Sequence, residues 1–416
     1  MKIRTLSIFE FVDYAKSHPL GSYHQSSSYA LLMSEHGYEY DLLGLIDDNN
    51  NIKAASLILY KKLGMFNKYG YAPKGFLIDY HDKELLQEFI KAIKKYYAKK
   101  NLVFIKINPE ISVGYMDYQK KIIDYNKNHV IETTLRSLNF RKLEGNKRFE
   151  TKIPIYNAVQ VLKTTNLRTV TKNTRNKIRK GMKHGLSLEK GKREAIDILY
   201  PFIKNKKGHS IYHYYNYYNA FSRNNDIDIF LVKMNFEDCL INLRDRYEKE
   251  MEINNKIVNK VMSNPSKDNL RRKLDSDTVL NTIKDNIALA TSHLAQNKEE
   301  YIAGAITIKY KNRVYILISG YDKAFKMFSP NYFLHYKLIE YYKKDYDFID
   351  LNGITGDFTP ENPYKGLDEF KLGFNPYAFE YIGEFDFIIN EALYKAMEQN
   401  GQLAKEFNKK EKSTNN

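Results

Sequence analysis

A single cysteine, Cys239, occurs in 416 residues. That excludes an internal disulfide and any all-cysteine metal cluster, and it fits a reducing compartment. No two glycines are separated by one residue, so the G-x-G loops that cradle dinucleotides, kinase nucleotides or the pyrophosphate of acetyl-CoA are absent. Nor is there a Walker A, H-E-x-x-H or G-x-S-x-G segment, which removes P-loop, zincin and serine-hydrolase chemistry. No stretch approaches the about 18 apolar residues of a membrane span. The opening residues, MKIRTLSIFEFVDYAKSHP, set Glu10 and Asp13 where a signal peptide needs an unbroken apolar run. A cytoplasmic protein is expected, at most peripheral at the inner face of the membrane.

What the chain does have is core-forming material and positive charge. Apolar residues make up 43%, with 35 Tyr and 23 Phe, so this is not a disordered chain. The length exceeds one ordinary domain and predicts two, or one with an insertion. Sixty-six Lys and Arg against 50 Asp and Glu leave a net charge of +16. Such an excess favours a polyanionic partner: nucleic acid, an anionic membrane face or a phosphorylated substrate.

The hydrophobic pattern reads as a repeated α/β unit. Tyr38 to Ile46 and Ile52 to Tyr60 alternate as strands around an Asp/Asn turn. Asp82 to Lys99 is an amphipathic helix with Leu85, Leu86, Phe89, Ile93 and Tyr97 inward, and Leu102 to Ile107 is the strand after it. The second half repeats this order with strands Ile227 to Met234, Tyr301 to Tyr310 and Arg313 to Ser319. A helix from Asn331 to Lys343 follows, with Phe333, Leu334, Leu338 and Tyr341 inward, and then a strand from Tyr346 to Leu351. The two final strands end alike, at Asn108-Pro109 and Asn352-Gly353, which suggests an internal duplication.

Between the first two strands of the second copy lies Phe236 to Glu300, a glycine-free segment dense in charge. Leu240, Leu243, Tyr247, Asn254, Val258 and Val261 recur at three- and four-residue steps. After Ser263-Asn264-Pro265 the pattern resumes with Leu270, Leu274, Ile283, Ile287, Ala290 and Leu294. Two antiparallel helices forming a projecting coiled-coil arm are expected. The boundaries read from sequence are therefore 1–150, then 151–235 with 301–388, the arm 236–300, and a C-terminal helix with a basic tail over 389–416.

Three stretches carry candidate chemistry. Asn166 to Gly185 holds Arg168, Lys172, Arg175, Lys177, Arg179, Lys180 and Lys183 with no acidic residue. Read as one helix, it has a wholly cationic face whose mutual repulsion a polyphosphate ligand would relieve. His209 to Phe221 packs five tyrosines into thirteen residues, suited to base stacking or to core filling. His209 and His213 lie four apart, but no Glu follows His209 and no third ligand is near, so no metal site is expected. Phe348 to Gly383 reads as a strand, a Gly/Pro-rich loop, a helical turn and an aromatic strand from Tyr377 to Phe387. Within it Lys371 is a cation between Phe370 and Leu372, either snorkelling from a half-buried turn or held there for chemistry.

Taken together, these residues resemble the FemABX peptidoglycan aminoacyltransferases. The resemblance rests on Tyr23-His24-Gln25-Ser26, the Leu167-Arg168 basic helix, the Tyr-rich segment and the arm. It rests above all on Gly366-Leu367-Asp368-Glu369-Phe370-Lys371-Leu372-Gly373-Phe374, followed by Glu380-Tyr381-Ile382-Gly383-Glu384-Phe385. It implies an α/β (α+β) fold of tandem acetyltransferase-like (GNAT-like) domains with an inserted antiparallel coiled-coil arm. It also implies transfer of an amino acid from aminoacyl-tRNA to the stem-peptide amine of a muropeptide precursor, lipid II or UDP-MurNAc-pentapeptide. No cofactor is implied, and homologous transferases and the membrane surface are further partners.

By this resemblance Lys371 and Phe370 are the catalytic candidates. Gln25, Asn108, Asn352, Tyr215 and Tyr217 are candidates for substrate contact. Where relatives often carry Asp this chain has Asn108, which cannot act as a base. Where they often carry lysine and arginine it has Met33 and Tyr217, so phosphate contacts are expected from Arg175 and Arg179. Two other readings fit the same residues: a non-catalytic RNA binder using the basic helix and arm, and a scaffold recruiting partners through the arm.

Overall fold

A computed structural model describes residues 1–63, 66–144 and 148–403. The basic tail expected beyond Leu403 lies outside the described residues, as does Gly64 of the Gly-rich loop (Gly64, Gly70, Gly75) that the sequence sets after Ile52 to Tyr60. The strands, in chain order, are β1 (Lys2–Thr5), β2 (Glu39–Ile46), β3 (Ile52–Leu63), β4 (Asn67–Ala72), β5 (Leu102–Ile107), β6 (Ser112–Met116), β7 (Ile122–Tyr125) and β8 (Phe140–Lys142). They continue with β9 (Tyr156–Val161), β10 (Leu186–Gly191), β11 (Ile227–Asn235), β12 (Glu299–Tyr310), β13 (Arg313–Tyr321), β14 (Phe348–Ile354), β15 (Tyr377–Tyr381) and β16 (Phe385–Ile388). They form two mixed sheets, β1-β2-β3-β4-β5-β16-β8 and β10-β11-β12-β13-β14-β9-β15-β6-β7.

The two sheets are built on one plan. In the first, β1 to β4 pair antiparallel in series and β5 joins β4 in parallel. In the second, β10 to β13 do the same and β14 joins β13 in parallel. A parallel neighbour needs a crossover, supplied by the helices Lys83–Ala98 and Pro330–Tyr342. Asp82 caps the first of these, accepting from the Leu85 amide, and Leu86, Phe89, Ile93 and Tyr97 are buried. On the second helix Tyr342 turns inward and Tyr341, expected inside, is 46% exposed. One step along a helix swings a side chain by about 100°.

The strand expected from Tyr377 to Phe387 is two strands in different sheets. Gly383, at φ +97°, lets the chain turn between them. Thus β15 pairs with β9 and β6, whereas β16 enters the first sheet between β5 and β8. In exchange β6 and β7, residues 112–125, complete the second sheet. Hydrogen bonding therefore crosses the contiguous division at residue 150 in both directions. The junction is held by Lys106, fully buried on β5, whose Nζ lies 2.7 Å from Asp386 Oδ1 and 3.0 Å from Glu384 Oε1. Burial opposes this ammonium, but Asp386 and then Glu384 outweigh it and hold its pKa above the ordinary lysine value.

The arm consists of helices Phe236–Ser263 and Lys267–Leu294, each 28 residues and so about 42 Å long at 1.5 Å per residue. It leaves β11 and returns to β12 where Asn235 faces Glu299. Its base shares the second core through Phe236, Leu240, Leu243, Ile283 and Ala290. Leu270 and Leu274, expected in the seam, are exposed at 49% and 70%. On the second arm helix the seam instead runs through Ser276 and Leu280, and Asn254 donates across it to Ser276 Oγ at 3.0 Å and Asp277 Oδ1 at 2.8 Å. A buried polar pair needs this partner, which sets the register against the purely apolar spacing. No helix among the described residues is long and apolar enough to cross a membrane.

Lys106→Met is expected to destabilise the protein by about 3–5 kcal/mol, because two buried carboxylates lose their counter-charge. Adding Glu384→Gln and Asp386→Asn should restore much of that loss, as read from urea unfolding midpoints.

Candidate active site

A cavity of about 630 Å³ is lined from both units, by Tyr23, His24 and Lys74 of the first and Tyr315, Asp350 and Asn352 of the second. Residues 149–154 and the helix Ile211–Ser222 complete its walls. Lys74 reaches it from a tight turn after β4, with φ +59° at Lys74 and +77° at Gly75. Asn108 holds that turn. Its Oδ1 accepts from the Lys74 amide at 2.7 Å and its Nδ2 donates to Tyr71 Oη at 3.1 Å. Pro109 then packs 2.8 Å from where a Cβ on Gly75 would stand. Asn108 is itself buried and does not line the cavity; it acts through Lys74.

Next to Lys74 a buried ionic cluster joins the units. Arg313 Nη1 donates to Glu110 Oε1 at 2.5 Å, Tyr381 Oη donates to the same oxygen at 3.2 Å, and Lys74 Nζ lies 3.5 Å from Oε2. Burial works against ionisation of Glu110, yet Lys74 and Arg313 together pull its pKa down to about 2. The neighbouring carboxyl behaves oppositely. Asp350 is 2% exposed, and burial raises its pKa, with Arg313 opposing and the Glu110 charge adding to the rise. Asp350 Oδ1 accepts from the Asn352 amide at 2.7 Å and Oδ2 from Asn157 Nδ2 at 3.2 Å. A carboxyl poised upward inside a cavity is the kind of group that accepts a proton in catalysis.

Asn352, at φ +69°, lines the cavity and is followed by Gly353. A Cβ on Gly353 would stand 2.3 Å from Pro154 Cγ, so only glycine lets the 149–154 segment close there. Behind it Lys371, in the helix Lys365–Leu372, is 9% exposed and donates from Nζ to the Gly353 carbonyl at 2.6 Å. Lys371 thus stands one residue behind the cavity wall rather than in it. Phe370 faces away from the cavity, edge-on to Tyr332 and His335 with centroids 4.8 Å from each. His335 is buried, and burial followed by the Lys371 charge takes its pKa down to about 3, so it stays neutral.

The remaining candidates divide. Tyr217 lines the cavity beside His213 and Tyr214. Tyr215, two residues earlier, is on the far side of its helix, donating to Asp197 beneath Arg193. Gln25 is fully buried, with Nε2 donating to the Pro73 carbonyl at 2.7 Å and Oε1 accepting from the Leu57 amide at 2.8 Å. It braces the wall while its neighbours Tyr23 and His24 present themselves to the cavity. Arg175 and Arg179 do not line the cavity. Their helix spans Lys172–Lys183, capped by Thr171, so Arg168 precedes it. No group of three or more His, Cys, Asp or Glu residues able to hold a metal occurs among the described residues.

The sequence reading missed Lys74, Glu110, Arg313 and Asp350 as a group, since they come from four separate segments. Asp350 had one visible signal, a carboxylate inside an apolar strand two residues before a breaker.

A family model described as the FemAB family matches residues 6–400. The chain belongs to the FemAB family. Two relatives named Aminoacyltransferase FemA, from Staphylococcus aureus strains bovine RF122 / ET3-1 and N315, are each 26% identical over 417 residues, covering 95% of this chain and 97% of the relative. A solved structure, "Crystal structure of FemX", shares the fold with a TM-score of 0.73 at 21% identity, covering 96% of this chain and all of that one. The tandem α/β plan is thus a FemAB fold, and the cavity lies within the matched residues.

In this FemAB chain Asp350→Asn is expected to leave stability unchanged or raised at pH 7. A carboxyl whose pKa is raised on folding loses stability as pH climbs from its ordinary value to the raised one, and the amide removes that cost. Asn157 Oδ1 is buried without a partner and can accept from the new amide after a flip. Urea melts of the two proteins should converge as pH falls below the ordinary carboxylate range.

Proposed function

We propose that this chain transfers an amino acid from aminoacyl-tRNA to the stem-peptide amine of a lipid- or nucleotide-linked peptidoglycan precursor, building the interpeptide bridge in the cytoplasm at the inner membrane face. The observation that carries this reading is the FemAB match over residues 6–400, joined to a cavity holding a buried carboxyl with a buried ammonium just behind its wall. The acceptor peptide occupies the cavity and the charged tRNA terminus arrives on the Lys371 side, so the reactants meet at Asn352-Gly353.

Asp350 takes a proton from the acceptor ammonium. The freed amine attacks the ester carbonyl, and the oxyanion forms beside Lys371. On collapse, the remaining amine proton moves to the departing 3′ oxygen of the ribose, leaving an amide and an alcohol. The one proton released overall rests on Asp350. No enzyme nucleophile and no cofactor is needed. Cys239 is unsuited to that role, because burial pushes its thiol pKa up to about 12.

Preorganised positive charge at a developing oxyanion is worth about 3–4 kcal/mol when one comparable donor is removed, and a positioned base contributes about 10²–10⁴-fold. Lys371→Met should therefore lower turnover by about 10²–10³-fold, and Asp350→Asn by about 10²–10⁴-fold, with circular dichroism unchanged. The assay follows label from aminoacyl-tRNAs into muropeptide acceptors. Failure of any label to move sinks the transferase reading, and parental turnover in either variant removes that residue's role.

A further inference from the structure

Asp368 is buried on the Lys371 helix, one turn before Lys371. Residues three apart on a helix share a face, and this face meets the end of β14. Asp368 Oδ1 accepts from the Thr355 amide at 3.0 Å. Its Oδ2 accepts from the Thr355 hydroxyl and from Asn362 Nδ2, the latter at 2.9 Å. All three donors are neutral. Asn362 Nδ2 also reaches Thr355 Oγ1 and the Asp357 carbonyl, each at 2.7 Å, so the carboxylate gathers the loop of residues 355–362 onto the helix. Thr355, Asn362 and Asp368 are all buried, and none of them lines the cavity.

A carboxylate taken out of water is costly unless hydrogen bonds replace its hydration, and bonds to a charged acceptor are stronger than neutral ones. The effect of this arrangement falls on Lys371. Its Nζ donates to the Gly353 carbonyl at 2.6 Å, two residues before Thr355. The helix therefore grips one strand end at two points, with an ammonium at one and a carboxylate at the other. It has only eight residues, and no side chain caps its start at Tyr364. A helix of little over two turns has no stability of its own and takes its place from tertiary contacts. One grip alone would leave it free to roll about its axis, carrying the ammonium off the Asn352-Gly353 wall; two grips on one face stop that rotation.

We propose that Asp368 is a positioning residue for Lys371, holding the short helix in the one orientation that keeps the ammonium on Gly353. Asp368 touches no reactant and acts only through Lys371. The consequence for turnover rests on the transferase reading above, whereas the placement of the ammonium does not.

Two measurements on the full chain test this. In the first, lysines are trace-labelled with acetic anhydride and each is quantified by mass spectrometry. Asp368→Asn should raise the acylation rate of Lys371 about tenfold or more as the helix loosens locally. Lys106, fully buried on β5, should keep its parental rate and so report an intact fold. Thr355→Val, which removes the hydroxyl donor and keeps the backbone amide, should move Lys371 in the same direction by less. A rise at both lysines in both variants, or no rise at Lys371 in either, overturns the proposal.

The second measurement follows label transfer. Asp368→Asn should lower kcat about 10²-fold, the cost of misplacing a catalytic group by about 1 Å, with KM for both substrates near parental. In a Lys371→Met background the same substitution should cost less than about twofold, because the group it positions is already gone. A loss as large in that background as in the parental chain marks a merely structural role and also overturns the proposal. If the parental protein moves no label, the transferase reading falls and the acylation rates alone decide the placement.

Discussion

Everything in this molecule depends on one ammonium kept charged in a place without water. Lys106 is fully buried, and the strand that neutralises it comes from the other end of the chain, carrying Glu384 and Asp386. Asp386 is further tied to Tyr394 Oη at 2.8 Å, and Glu384 Oε2 accepts from the Lys152 amide at 3.2 Å. Glu384 and Lys152 also line the cavity. The ion cluster that joins the sheets is therefore part of the cavity wall. Replacing it with well-packed apolar groups could serve stability as well; the charges add a fixed orientation of one sheet against the other.

A second electrostatic arrangement separates two carboxyls that stand close together. Glu110 is flanked by Lys74 and Arg313 and stays ionised, whereas burial and the Glu110 charge lift Asp350. Pushing neighbouring pKa values apart is how a fold assigns different tasks to like groups. Here one carboxylate binds the two units and the other is left available for chemistry. Asn108 fits this scheme. A second carboxylate at that position would add charge to a cluster that two cations already balance, and the amide instead holds the Lys74 turn.

Much of the fold was legible because it is local. The hairpin around Asp47, the helix capped by Asp82 and the two arm helices on either side of Pro265 all follow from periodicity and breakers close in sequence. The exchange of strands was not legible. The run Tyr377 to Phe387 looks like one strand, and only its two partners, far apart in the chain, show that Gly383 divides it. The site was legible to the same degree. Strand ends and breakers pointed to the Lys371 segment, and the family resemblance pointed to Lys371 and Asn352 within it. Tyr215, Gln25 and Phe370 share motifs with cavity residues but face elsewhere, and a motif carries no information about which side of a helix meets solvent. Asp350, Glu110, Lys74 and Arg313 meet only after folding.

The late arrival of β16 has a consequence for synthesis. The first sheet lacks its sixth strand, and Lys106 lacks its counter-ions, until the ribosome has passed residue 388. Earlier strands can pair as they emerge, but the cavity wall containing Glu384 cannot close. A nascent chain thus exposes the cationic helix well before its cavity is walled in, so a finished pocket waits for β16.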